Sequence, residues 1–191
     1  IAIDSVSGGD ASEDGTQSVT ITISENESGS ALSIDDVTTS NENAGNATFT
    51  VTMSTASSST VTVDYATTAS SSTATASSDY TAASGTLTFS PGDTSKTFTV
   101  AVLPDTVYES GNETVTITLS NATNASISDS TGVLTITDDD NAPTVTLTSS
   151  ASSVAENGSD LTLTATLSNA TSATVTVGIS TSGTGTEGTD Y

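Results

Sequence analysis

The sequence contains no cysteine, no histidine and no tryptophan, and its only basic residue is Lys96. Without cysteine there is no disulfide to staple a fold and no thiolate to hold a soft metal. Without histidine, cysteine or arginine, the nucleophile–base pairs and arginine clamps of acyl and phosphoryl transfer cannot be assembled. One base against 23 acids leaves a net charge of −22. Such a chain cannot neutralise a phosphate backbone, so nucleic acid is excluded as a partner, and an anionic membrane surface for the same reason. No apolar run approaches the roughly 18–20 residues that span a bilayer, so no membrane insertion is expected in this segment. A glycosidase-type pair of carboxylates remains formally open. The acids, however, cluster as metal ligands would, and no tryptophan is available to line a sugar cleft. The expectation is a protein that is not an enzyme.

What is abundant is serine and threonine, roughly two residues in five, set in a period of two. Val61, Val63 and Tyr65 alternate with polar residues, as do Leu87 and Phe89, then Phe98, Val100 and Val102. Val115, Ile117 and Leu119 repeat the pattern, followed by Leu134 and Ile136. Threonine outside and a branched or aromatic residue inside suits a strand with one buried and one wet face. Turn residues such as Ser90-Pro91-Gly92-Asp93 and Ser110-Gly111-Asn112 separate these runs at sandwich-like intervals. No stretch longer than a turn has helical spacing. The fold class is all-β, and only Ser54–Ser59 and Thr67–Ser78 read as flexible loops.

Internal repetition sets the expected domain limits. Glu42–Tyr65 aligns without a gap on Glu156–Ile179, an offset of 156 − 42 = 114 residues. Ile21–Glu27 aligns on Leu134–Asp140, an offset of 134 − 21 = 113. Residues 1–28 are therefore expected to be the last strands of one domain, 30–141 a complete domain, and 143–191 the first half of a third. The pattern starts inside a strand at Ile1 and stops at Asp190-Tyr191, as an excerpt of a longer protein would. Incomplete sandwiches cannot bury their own cores, so further chain or neighbouring copies are expected to complete them, head to tail.

The middle domain resembles the Calx-β family, found in sodium–calcium exchangers and in large bacterial surface proteins. The resemblance is carried by Asn41-Glu42-Asn43, Ser78-Asp79-Tyr80, the run Gly85 to Val100 with its Pro91-Gly92-Asp93, Glu109 and Glu113 through Ser120, and Leu134 to Asp140. It implies tandem immunoglobulin-like sandwiches of seven strands in two sheets, and calcium (Ca2+) at one end. Carried over residue by residue, the implied ligands are Glu42, Asp79, Asp105, the Val107 carbonyl, Glu109, Glu113, Asp138, Asp139 and Asp140. Pro104 and Thr106 stand where the family often has further aspartates, and Ser110 and Gly111 thin the cluster. One or two ions are expected, with an affinity on the order of 10⁻⁴–10⁻³ M, as in extracellular modules. Calcium takes six to eight oxygens, and carboxylates from several loops repel one another without a cation between them.

Seven Asn-x-Ser/Thr sequons, at Asn26, Asn46, Asn112, Asn121, Asn124, Asn157 and Asn169, are candidate glycosylation sites of an extracellular or cell-surface protein. Three functions fit these features. The first is a structural component of an extracellular filament or surface stalk, with sandwiches stacked end to end and stiffened by calcium at the joints. The second is a glycan- or protein-binding module of a large adhesin, and the third a calcium sensor. Near-repetition and the lack of an aromatic patch favour the first, whereas a sensor needs an attached effector.

Overall fold

A computed structural model describes residues 29–39, 41–155 and 158–184. The domain assigned to residues 1–28, the sequons Asn26 and Asn157, and Glu156, Asp190 and Tyr191 lie outside the described residues. The elements in chain order are β1 (Ala31–Ile34), β2 (Val37–Thr38), β3 (Asn46–Met53), β4 (Val61–Thr68), β5 (Ser84–Phe89), β6 (Ser95–Ala101) and β7 (Val107–Tyr108). They continue with β8 (Glu113–Thr123), β9 (Ser126–Ile127), β10 (Thr131–Ile136), β11 (Val145–Ser149), β12 (Leu163–Leu167) and β13 (Ala170–Thr171). Single 3₁₀ turns occupy Glu42–Ala44 and Ala69–Ser71. Among the described residues no helix is long and apolar enough to cross a membrane.

Two sheets face each other. One has the order β6-β3-β1-β9, the other β2-β10-β8-β4-β5. If β1 and β2 are taken as two halves of one strand and the two-residue β9 is set aside, the sandwich has seven strands. The first strand changes sheets at Asp35-Asp36, and each carboxylate fastens one side of the crossing. Asp35 Oδ1 accepts the Thr50 N–H of β3 at 2.7 Å, and Asp36 Oδ1 accepts the Val133 N–H of β10 at 2.8 Å. A Cβ on Gly132 would lie 2.7 Å from the Asp35 carbonyl oxygen, so the crossing needs a residue without a side chain there.

The alternation seen in the sequence decides the core. Leu32, Phe49, Val51, Val61, Val63, Phe89, Val100, Val115, Ile117 and Leu134 are fully buried between the sheets. Phe98 stacks on its cross-strand partner Phe49, with ring centroids 5.4 Å apart, and on Tyr65 at 3.9 Å. Burying an aromatic ring of this kind is worth roughly 1.5–3 kcal/mol. Threonines cover the outer faces and bond across strands, as Thr62 and Thr123 do at 2.7 Å.

The expectation of a flexible loop at Thr67–Ser78 needs correction. Thr67 and Thr68 continue β4, and the following residues lie along β8. Thr73 and Ala74 donate their N–H groups to the Thr114 carbonyl, Thr116 donates its N–H to Ser72 Oγ, and Ala74 is buried. Small hydroxyl side chains can pair with a strand as well as with water. Composition alone does not separate the two outcomes.

Beyond the sandwich, β11 and β12 form an antiparallel hairpin from Val145↔Leu167 to Ser149↔Leu163. Every residue of its two strands is exposed.

Candidate metal centre

The acids converge at one end of the sandwich, and each is held there by local structure. Buried Thr39 donates its N–H to the Thr135 carbonyl at 2.9 Å, tying the chain before Glu42 to the end of β10. Glu42 then begins a 3₁₀ turn closed by Gly45 at φ +78°, a left-handed conformation that suits glycine, and the Gly45 carbonyl accepts the Val102 N–H. Asp79 closes a tight turn in which its carboxylate accepts the Thr75 N–H, while its carbonyl accepts the Leu103 N–H at 2.9 Å. That bond brings Asp79 beside the acidic loop from Asp105 to Glu113. Tyr80, the next residue, is fully buried and anchors the turn in the core. Asp105 Oδ1 caps the Val107 N–H at 2.7 Å.

Three groups result in which every carboxylate brings an oxygen within 4.8 Å of the others: Glu42, Glu109 and Asp138; Glu42, Asp105 and Asp140; and Asp79, Asp105 and Glu109. Oxygens around one calcium ion, each roughly 2.3–2.6 Å from it, lie no more than about 5 Å apart. Glu113 joins the cluster through Asp79. Asp139 does not join it: its carboxylate is exposed and accepts the Asn43 side-chain amide at 3.0 and 3.4 Å. Val107 is half-buried in β7. The sequence proposes the acids segment by segment. It does not say that the middle aspartate of Asp138-Asp139-Asp140 turns toward Asn43, because neighbouring residues of one loop differ only in tertiary direction.

The electrostatics show what such crowding costs. Glu42 is only 6% exposed, and its carboxyl is pushed up to about 7, first by burial, then by its hydrogen bond to Glu109 and the charges of Glu109, Asp105 and Asp138. Glu113 is likewise pushed up to about 7, by burial, by its hydrogen bond to Asp79, and by the charges of Asp79, Glu42 and Asp105. Glu109 is raised by burial and the Glu113 charge, and Asp140 by burial and the charges of Asp138 and Asp139. A carboxyl can donate to a carboxylate only while it keeps its proton, so these bonds exist only in the protonated cluster. Glu113 Oε2 and Asp140 Oδ2 are buried with no hydrogen-bond partner. An all-oxygen donor set of several carboxylates, with orphaned buried oxygens among them, fits a hard divalent cation such as calcium.

The profile of the Calx-beta domain matches residues 25–140 and, a second time, residues 138–191. The chain belongs to the Calx-beta domain family. Solved structures similar to this Calx-beta chain include the apo form of the Calx CBD1 domain, with a TM-score of 0.53 and 24% identity over 59% of this chain and 100% of that one. CBD12 from CALX1.2 matches with a TM-score of 0.52 and 25% identity, over 58% of this chain and 44% of that one. The calcium binding domain CBD12 of CALX1.1 gives 0.51 and 25%, over 57% and 44%. The chain thus spans less than half the length of these two CBD12 chains. No curated protein sequence matches.

The acidic loop of the Calx-beta sandwich also carries the contact to the next unit. β7 and β13 pair in parallel, Val107↔Ala170 and Tyr108↔Thr171. The Tyr108 carbonyl accepts both the Thr171 hydroxyl at 2.9 Å and the Ser172 N–H at 3.1 Å. Asn169 donates its side-chain amide to the Asn141 carbonyl. Three candidate glycosylation asparagines therefore have structural work: Asn169 here, and Asn121 and Asn124 at positive φ, donating to Asp64 and to the Thr60 carbonyl. Asn121 sits where the β4–β8 register shifts, a bulge whose left-handed residue asparagine tolerates. Asn46 and Asn112 are exposed.

Proposed function

We propose that this chain is a structural component of an extracellular filament or surface stalk, in which Calx-beta sandwiches stand end to end and calcium stiffens each joint. One observation carries the reading: the segment pairing with the next unit, Val107–Tyr108, lies between Asp105 and Glu109, two members of the acidic cluster. Glu42, Asp79, Asp105, Glu109, Glu113, Asp138 and Asp140 would hold the metal, with the Val107 carbonyl as a further ligand. When bound, calcium supplies the positive charge that lets these acids ionise together. A loop whose acids repel one another offers a poor platform for a two-residue ladder, and a loop drawn onto a cation offers a fixed one. The role is mechanical and non-catalytic, and the exposed sequons at Asn46 and Asn112 are the sites for surface glycans.

Small-angle scattering and limited proteolysis, each with calcium and then with chelator, test this. The expected result is a narrower distribution of shapes and slower cleavage near residues 138–145 when calcium is present. Identical scattering and identical cleavage in both conditions would sink it.

A further inference from the structure

The half-sandwich after Asn141 exposes residues whose counterparts are core. By the 114-residue repeat, Leu163, Leu167, Val175 and Val177 correspond to Phe49, Met53, Val61 and Val63. The first four are 44%, 38%, 41% and 45% exposed, whereas their counterparts are 0%, 4%, 0% and 0% exposed. Val145, Leu167, Val175 and Val177 also line an open hollow of about 170 Å³. Large apolar residues exposed together around one hollow mark a contact surface.

The repeat identifies what would cover it. In the complete domain the matching face is closed by β8, which pairs with β4, and by β10, which pairs with β8 and β2. Residues 1–28 carry the corresponding pattern: Ile21 and Ile23 align with Leu134 and Ile136 of β10, both buried in the core. We infer that residues 1–28 of a second copy of this chain add as strands to the open face of residues 143–184, joining copies head to tail. The composite unit then sets a counterpart of β10 beside the segments that correspond to β1, β3 and β4. Backbone pairing supplies affinity in such an addition, and alternate apolar side chains set its register. A heterologous contact of this kind builds open chains of subunits.

The test uses the whole chain, in calcium, with light-scattering mass measured across a dilution series. The expected masses are rising integer multiples of the monomer. The donor variant Ile21→Asp with Ile23→Asp, and the acceptor variant Val175→Asp with Val177→Asp, should each be monomeric alone. Their equimolar mixture should give a dimer, since each retains the half the other has lost. Unchanged thermal melting of the domain at 30–141 shows that both variants are folded. A monomeric parent chain at every concentration overturns the inference, including one in which residues 1–28 are protease-protected by folding back within the same molecule. Association that survives the donor substitutions overturns it as well, because some other segment then fills the face.

Discussion

Asn43 donates its side-chain amide to both carboxylate oxygens of Asp139, at 3.0 and 3.4 Å, and so turns the middle aspartate of an acidic triplet toward the adjacent loop. Its neighbours Asp138 and Asp140 belong to groups whose oxygens lie within 4.8 Å of one another. Three acids in sequence therefore differ in what they can do for a cation.

Calcium affinity should reflect that difference. Asp138→Asn is expected to weaken binding at least about tenfold, equivalent to about 1.4 kcal/mol. Asp139→Asn, which removes a charge but no ligand from the groups, should change it by less than about threefold, through screened long-range attraction alone. Calorimetric titration of both variants decides the matter. Equal losses would place Asp139 among the ligands.

Stability without metal should depend on pH in an unusual direction. Glu42 and Glu113 titrate near 7 when folded, against an ordinary value of 4.5. Between those values the folded state binds more protons than the unfolded state, so stability falls as pH rises. The contribution is complete below pH 4.5 and is lost as pH passes through about 7. Urea denaturation in chelator across this window should show the decline, and saturating calcium should remove it. Calcium binding near pH 6 should also release protons, measurable by calorimetry in two buffers of different ionisation enthalpy.

Gly132→Ala should destabilise the sandwich by about 1–3 kcal/mol, the usual range for overpacking. The added methyl would meet the Asp35 carbonyl oxygen at 2.7 Å and the Ile34 side chain at 3.0 Å, where the first strand changes sheets. Gly111→Ala, with nothing within 4 Å of the new carbon, serves as the control and should change the denaturation midpoint far less.

Thr171→Val removes a hydroxyl that donates to the Tyr108 carbonyl across the joint while keeping the side chain's shape. About 1 kcal/mol of the pairing should be lost. Cleavage between the units should accelerate, with calcium affinity unchanged within about twofold, because Thr171 lies outside the acidic groups. A large loss of affinity would mean that the joint shapes the metal site directly.

The strands were legible in the sequence because most inward positions are apolar and most outward ones are threonine or serine. Val61, Val63, Phe89, Phe98, Val115, Ile117 and Leu134 all stand where that alternation predicts. The same signal failed at Thr67–Ser78, where serine and threonine satisfy β8 instead of solvent. Asn121 and Asn124 show a related limit. A sequon describes three residues, but their positive φ and their bonds to Asp64 and Thr60 arise from a bulge and a turn that local sequence does not specify.

By itself, then, the sequence determined the all-β class, the repeat and the candidate acids, since period, composition and spacing are local properties. Tertiary structure decided which acids meet. Glu42 and Asp138 are 138 − 42 = 96 residues apart in sequence yet share one group, and Asp139 leaves it for Asn43. It also decided that Val107–Tyr108 pairs with Ala170–Thr171 of the next unit. These are long-range pairings, fixed by the packing of two sheets, and no local pattern encodes them.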